Sequence, residues 1–213
     1  MRRPGGGLVS LKLPRGPMRF RLPFTGSAAR RRAEDAARAL YDAIVAQARQ
    51  PGFYLDLGVP DSLDGRFDLI VLHAHLTMRG LGRREGEGGR HGTGFAPESA
   101  RAVSQALFDL MFADMDQSLR EMGVTDSGVG KRVKQMAQAF YGRVLAYDTG
   151  LADAEDAALI AALRRNLFRA VDNPDPAALT ALASYLRAQD RALAGAEGLV
   201  EGRVAFAPPP VAA

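Results

Sequence analysis

Residues 107–150 read LFDLMFADMDQSLREMGVTDSGVGKRVKQMAQAFYGRVLAYDTG, and the pattern in this stretch decides the fold. Val103, Ala106, Leu107, Leu110, Met111, Met115, Leu119 and Met122 recur at three- and four-residue intervals, the spacing of one buried helix face. Gly123 suits the left-handed residue that closes such a helix. After a turn over 124–130, Val133, Met136, Ala137, Phe140, Val144 and Leu145 mark a second apolar stripe, running to about Asp148. The stretch is therefore a helical hairpin. Its remaining positions carry an ordered set of acids, bases and tyrosines.

The same periodicity extends outward in both directions. Ser27 can cap a helix whose inner side is Ala33, Ala36, Ala37, Leu40, Ile44 and Val45, ended by Pro51-Gly52. Phe53, Tyr54, Leu55, Leu57 and Val59 form an apolar connector, expected to pack as extended chain or a turn. Asp61 or Ser62 opens a helix to about Gly80, with Phe67, Ile70, Val71, Ala74 and Met78 inward. GLGRREGEGGRHGTG, residues 80–94, is glycine-dense and polar and is predicted as a loop, and Pro97 suits the first turn of the next helix. Beyond the hairpin, Asp153 and Asp156 open a helix carrying Leu159, Ile160, Leu163, Leu167 and Phe168. Asp175-Pro176 caps the last one, with Leu179, Leu182, Leu186 and Leu193 inward.

About six helices with no strand pattern predict an all-α bundle. A helical domain over 27–195 would be flanked by a flexible basic arm (1–26) and a flexible tail (196–213) containing Pro208-Pro209-Pro210. Met18 offers a second start within the arm.

Charge is divided unevenly. Net charge is +4, yet residues 1–33 hold nine Arg or Lys and no acid, which leaves −5 on the remainder. The basic character belongs to the arm, which suits contact with an anionic membrane surface or a ribosome. No run approaches the ~20 apolar residues of a membrane-spanning helix, and no apolar core of a secretory signal follows the first arginines. These features lead us to expect a cytoplasmic protein, peripheral at the inner face of the cytoplasmic membrane. Without cysteine the chain has no disulfide, thiolate metal site or cysteine nucleophile.

Catalytic motifs fail in detail. His73 and His75 are two residues apart and cannot chelate one ion from a helix face. His73 is expected to hydrogen-bond inside the bundle, with His75 and His91 in solvent. Gly130-Lys131 resembles part of a phosphate loop, but Thr125 replaces its first glycine and Arg132 its Ser/Thr. No GxSxG elbow occurs. We therefore expect no enzyme activity, no metal and no cofactor.

The hairpin offers instead a charged docking face: Asp109, Asp114, Asp116 and Arg120 on its first helix, and Lys131, Arg132, Tyr141, Arg143, Tyr147 and Asp148 on its second. Tyr and Arg are frequent interface anchors. Lys131 and Arg132 would crowd a helix N-terminus, where cations oppose the helix dipole. For Asp116 and Glu121, ordinary pairing across the hairpin with Lys131, Arg132 and Lys134 is the preferred expectation over a docking role, because exposed pairs are common.

Several segments resemble, in order, the ubiquinol–cytochrome c chaperone family, assembly factors of the cytochrome bc1 complex, and are most similar to its alphaproteobacterial branch. They are FDLIVLHAHLTMRGL (67–81), LFDLMFADMDQSLREMGV (107–124), GVGKRVKQMAQAFYGRVLAYDTGL (128–151), AALRRNLF (161–168) and, more weakly, DPAALTALASYLRAQ (175–189). The resemblance implies a helical chaperone that binds newly made cytochrome b and stabilises it through haem acquisition and assembly. A reading from another class is a helix-turn-helix nucleic-acid binder using the hairpin turn. Its recognition helix should be basic along the groove-facing side, whereas this helix is basic only at its start and then presents Gln135, Gln138 and Tyr141. Nucleic acid is therefore not the expected partner.

Overall fold

The computed structural model describes residues 28–87, 97–121, 123 and 126–212. The arm, Ser27, residues 88–96 (His91 among them), Met122, Val124 and Thr125 lie outside these residues. Among those described, the elements are α1 (Ala28–Ala48), α2 (Pro51–Leu55), α3 (Leu63–Glu87), α4 (Pro97–Glu121), α5 (Asp126–Ala152), α6 (Ala157–Asn166), α7 (Pro176–Gly195) and a 3-10 turn, Leu199–Glu201. The chain is all-α. It has one helix more than expected, because the apolar connector after Pro51 winds into α2 before turning at Gly58 (φ 67°).

The organising element is α3. Leu69, Val71, Leu72, Ala74, Leu76 and Leu81 are all buried, and so are Asp68, His73, His75 and Thr77 between them. A helix buried on every side must be enclosed by its neighbours, and α3 packs against α1, α4, α5 and α7. Enclosure obliges each polar side chain on α3 to find a partner inside the protein.

Around α3, α1 lies along α4, and α5 leads through α6 to α7. The α1 and α4 stripes face inward as their spacing predicts, although Val45, Ala106 and Leu110 are only half-buried and Met122 lies outside the described residues. Asp175 caps α7 by accepting from Ala177 N at 2.9 Å, with Pro176 in the first turn. Gly123 takes the expected positive φ of 80°.

Three expectations need correction. Helix α3 runs through Gly80 and Gly82 to Glu87. Gly80 is there for packing: a Cβ would sit 3.0 Å from Leu193 O on α7. The inward stripe of α5 is Val129, Val133, Ala137, Phe140, Arg143 and Tyr147, so Leu145 is turned out and is 69% exposed. Finally, the carboxy-terminal segment is docked rather than free. Phe206 lies with its ring centroid 5.2 Å from that of His73, and Ala207 O accepts from Gln47 Nε2 at 2.8 Å.

That segment closes over a polar chain in the core. His73 Nδ1 lies 2.8 Å from Leu69 O, which can only accept, so Nδ1 carries the proton. His73 Nε2 then accepts from Tyr185 Oη at 3.0 Å, and Tyr185 Oη accepts from Gln47 Nε2 at 2.9 Å. Burial holds the neutral form, pushing His73 down to about 4.

Candidate docking face

The ten hairpin residues do not form one surface. Asp109 and Tyr141 meet at the α4–α5 seam, where Tyr141 stacks on Phe108 with centroids 6.0 Å apart. Phe108 also meets Phe112 and Phe140, so an aromatic cluster holds the two helices together and leaves Tyr141 half-exposed at its edge. Asp109 is exposed and accepts from Gln105 at 2.9 Å, and partial desolvation at the edge of this seam raises its carboxyl above the usual range.

Further along α4, Asp116 pairs with Arg120 at 2.7 Å and Glu121 accepts from Gln117 at 2.8 Å. Both acids therefore have a partner one turn away on their own helix, in place of the cross-hairpin pairing. Lys131 and Arg132 are exposed on α5. Because α5 begins at Asp126, they are its sixth and seventh residues, beyond the first turn where the dipole acts. The helix dipole therefore gives no reason to expect an anionic partner there.

Three residues expected outside are tied to the interior. Arg143 is 8% exposed and its guanidinium is 2.6 Å from Asp68, itself buried on α3. Burial pushes the Asp68 carboxyl up, further than Arg143 pulls it down. The Arg143 guanidinium also sits 5.6 Å over the Phe67 ring. Tyr147 is fully buried and lies against His75, ring centroids 6.2 Å apart. Asp148 bonds to Arg79 Nη1, while His75 Nε2 stands 3.4 Å from the same carboxylate oxygen. His75 is therefore a core residue, and burial lowers it to about 4. Arg79 reaches Asp190 on α7 at 2.9 Å, and Arg83 joins it at 2.7 Å.

Asp114 points away from the hairpin seam, to α1, where it accepts from Tyr41 Oη at 2.8 Å. A shallow cleft between α1 and α4 is lined by these two with Asp42, Val45 and Arg49. Residue reading missed Tyr41, Asp68, Arg79, Arg83 and Asp190. Asp68 and Arg79 are eleven residues apart on α3 with His75 between them, so the three share one helix face, but the local pattern does not give that face an inward direction.

Of the ten candidates, Asp109, Asp116, Arg120, Lys131, Arg132 and Tyr141 are exposed or half-exposed on α4–α5 and are not tied to α1 or α3, and Leu145 is exposed among them. Such a surface can bind a polypeptide by charge and apolar contact. Among the described residues, no three His, Asp or Glu side chains are grouped to hold a metal ion.

A family model described as ubiquinol-cytochrome C chaperone matches residues 55–206. The chain is 28% identical over 176 residues to the ubiquinol-cytochrome c reductase complex assembly factor 1 of Mus musculus, covering 81% of this chain and 55% of that one. The Xenopus laevis protein of corresponding name is 27% identical, with 81% of each chain covered. The chain thus spans about half the length of the mammalian relatives it matches. The crystal structure of the Cbp3 homolog from Brucella abortus superposes with a TM-score of 0.68 at 34% identity, covering 83% of this chain and 91% of that chain.

Proposed function

Because the chain belongs to the ubiquinol–cytochrome c chaperone family, we propose that it is a non-enzymatic chaperone that binds cytochrome b and stabilises it during assembly of the ubiquinol–cytochrome c reductase (bc1) complex. The observation that carries this reading is the family match over 55–206, which takes in every element from the last residue of α2 to the docked segment at Phe206. The fold shared with the Brucella abortus protein at 34% identity supports it.

The proposed contact surface is the exposed side of α4–α5, with Tyr141 and Leu145 as anchors and Asp109, Asp116, Arg120, Lys131 and Arg132 around them. Arg143 and Tyr147 act behind that surface by fixing α5 to α3, and Asp148 does so through Arg79. No helix among the described residues is long and apolar enough to cross a membrane. The proposed working place is the inner face of the cytoplasmic membrane, with the six cations of residues 1–26 drawn to anionic lipid.

Deleting the gene should lower both assembled bc1 complex on native gels and cytochrome b in reduced-minus-oxidised spectra, while an unrelated respiratory complex stays constant. Full cytochrome b and bc1 levels in the deletion strain would refute the proposal.

A further inference from the structure

A second surface lies apart from the hairpin, between α2 and the connection from α6 to α7. It is a groove lined by Leu55, Leu57, Phe168, Val171, Pro174 and Ala178. Leu57 and Phe168 are buried and make its floor, while Leu55 stands 81% exposed at its edge. One exposed leucine alone is ordinary, but Leu55 is continuous with the apolar lining of the groove, and an apolar patch with a polar rim is available to a partner.

The rim is acidic. Asp56 and Asp175 line the groove and Asp172 sits between Val171 and Asn173, all three exposed. Two nearby arginines are held by other acids, Arg169 by Asp64 at 2.8 Å and Arg66 by Asp61 at 2.6 Å. An apolar floor beneath a negative rim fits a segment with an aliphatic anchor and flanking Lys or Arg. The cytoplasmic loops of membrane proteins have this chemistry, being enriched in Lys and Arg and running directly into apolar transmembrane helices.

We propose that this groove docks a basic cytoplasmic loop of the membrane-protein client, seating an apolar residue on Leu55, Leu57 and Val171 and its flanking cations against Asp56 and Asp172. The inference rests on the chaperone reading above and names the part of the client recognised. Electrostatic complementarity of this kind sets the encounter rate and makes it salt-sensitive.

The test titrates the full chain with labelled 15-residue peptides that copy the cytoplasmic loops of cytochrome b, each with the first apolar residues of the adjoining helix. Binding should weaken at least tenfold in Leu55→Ser and in the Asp56→Asn/Asp172→Asn double variant, with melting unchanged. It should weaken similarly when the peptides' Lys and Arg become Ser, or at high salt. Equal binding by the variants, or by the neutral peptides, would overturn the proposal. So would tighter peptide binding after Arg19→Gln/Arg21→Gln, which would make the chain's own amino-terminal segment the occupant. A dimer that Leu55→Ser dissociates would assign the groove to a second copy and also overturn it. In the deletion strain, the triple variant Leu55→Ser/Asp56→Asn/Asp172→Asn should fail to restore bc1 assembly. Restoration by that variant rejects the groove alone, whereas normal assembly without any copy of the gene rejects the chaperone reading itself.

Discussion

Arg143 shows how a charged residue can belong to the core. Its partner Asp68 lies on a helix enclosed on all sides, so neither charge can turn to water. Arg143→Met should cost about 3–5 kcal/mol, because it strands a buried carboxylate. Adding Asp68→Leu should recover most of that loss, since a buried ion pair is often replaceable by apolar residues of similar volume. Chemical denaturation of the two single variants and the double variant decides the matter. Additive losses would mean that the residues do not act as a pair. Both residues are plain in the sequence, but their inward direction is not. Polar side chains at helical spacing read as a solvated face unless the opposing helix is known to be polar too. His73 was legible because an isolated histidine among Leu69, Val71 and Leu72 has only the interior to face. His75, on the far side of the same helix, was not, because nothing in the local pattern says that α3 has no outside.

At the scale of elements, the apolar period located α1, α4 and α7 to within a few residues, and their caps at Gly123 and Asp175 are where the residue types require them. Glycine was the misleading signal. Gly80 and Gly82 read as punctuation, yet Gly80 lies inside α3, where the α7 backbone approaches it. Gly150 has the same role on α5: a Cβ there would lie 2.6 Å from Leu159 Cα on α6. Backbone cannot rotate away as a side chain can. Gly150→Ala should therefore push α6 from α5 and destabilise by about 1–3 kcal/mol, despite the better helix propensity of alanine. Gly142→Ala on the same helix has open space around the added methyl and should be neutral or mildly stabilising. A paired melt of the two variants tests this, and equal shifts would show that close approach is not why Gly150 is glycine. The docked carboxy-terminal segment was illegible for a related reason. Prolines show that residues 208–210 cannot continue a helix, but not that Phe206 finds a ring to meet.

Across the whole molecule, two buried neutral histidines make stability depend on pH. Both His73 and His75 are lowered to about 4 by burial, so the unfolded chain binds more protons than the folded one between roughly pH 6.5 and 4. Their contribution is fully present above pH 6.5 and is lost as pH falls through 4, by on the order of 3 kcal/mol each. Asp68 is shifted the other way and gains relative stability as it protonates, which blunts the fall. Melting temperature should thus drop between pH 7 and 4.5, and drop more steeply in Asp68→Asn. A flat profile would contradict the buried neutral histidines. The docking face calls for the opposite behaviour, a change in binding without a change in folding. Lys131 and Arg132 are exposed, lie past the first turn of α5 and project from a hairpin held by an aromatic cluster that does not include them. Reversing both to glutamate should leave stability within about 0.5 kcal/mol, as for surface substitutions generally. If α4–α5 is the client surface, the same change should reduce co-purification of cytochrome b several-fold, with a larger deficit at low salt than at high salt, because screening removes the new repulsion. Undiminished co-purification with an unchanged melt would move the contact off these cations. A loss that does not respond to salt would instead point to altered packing beneath them.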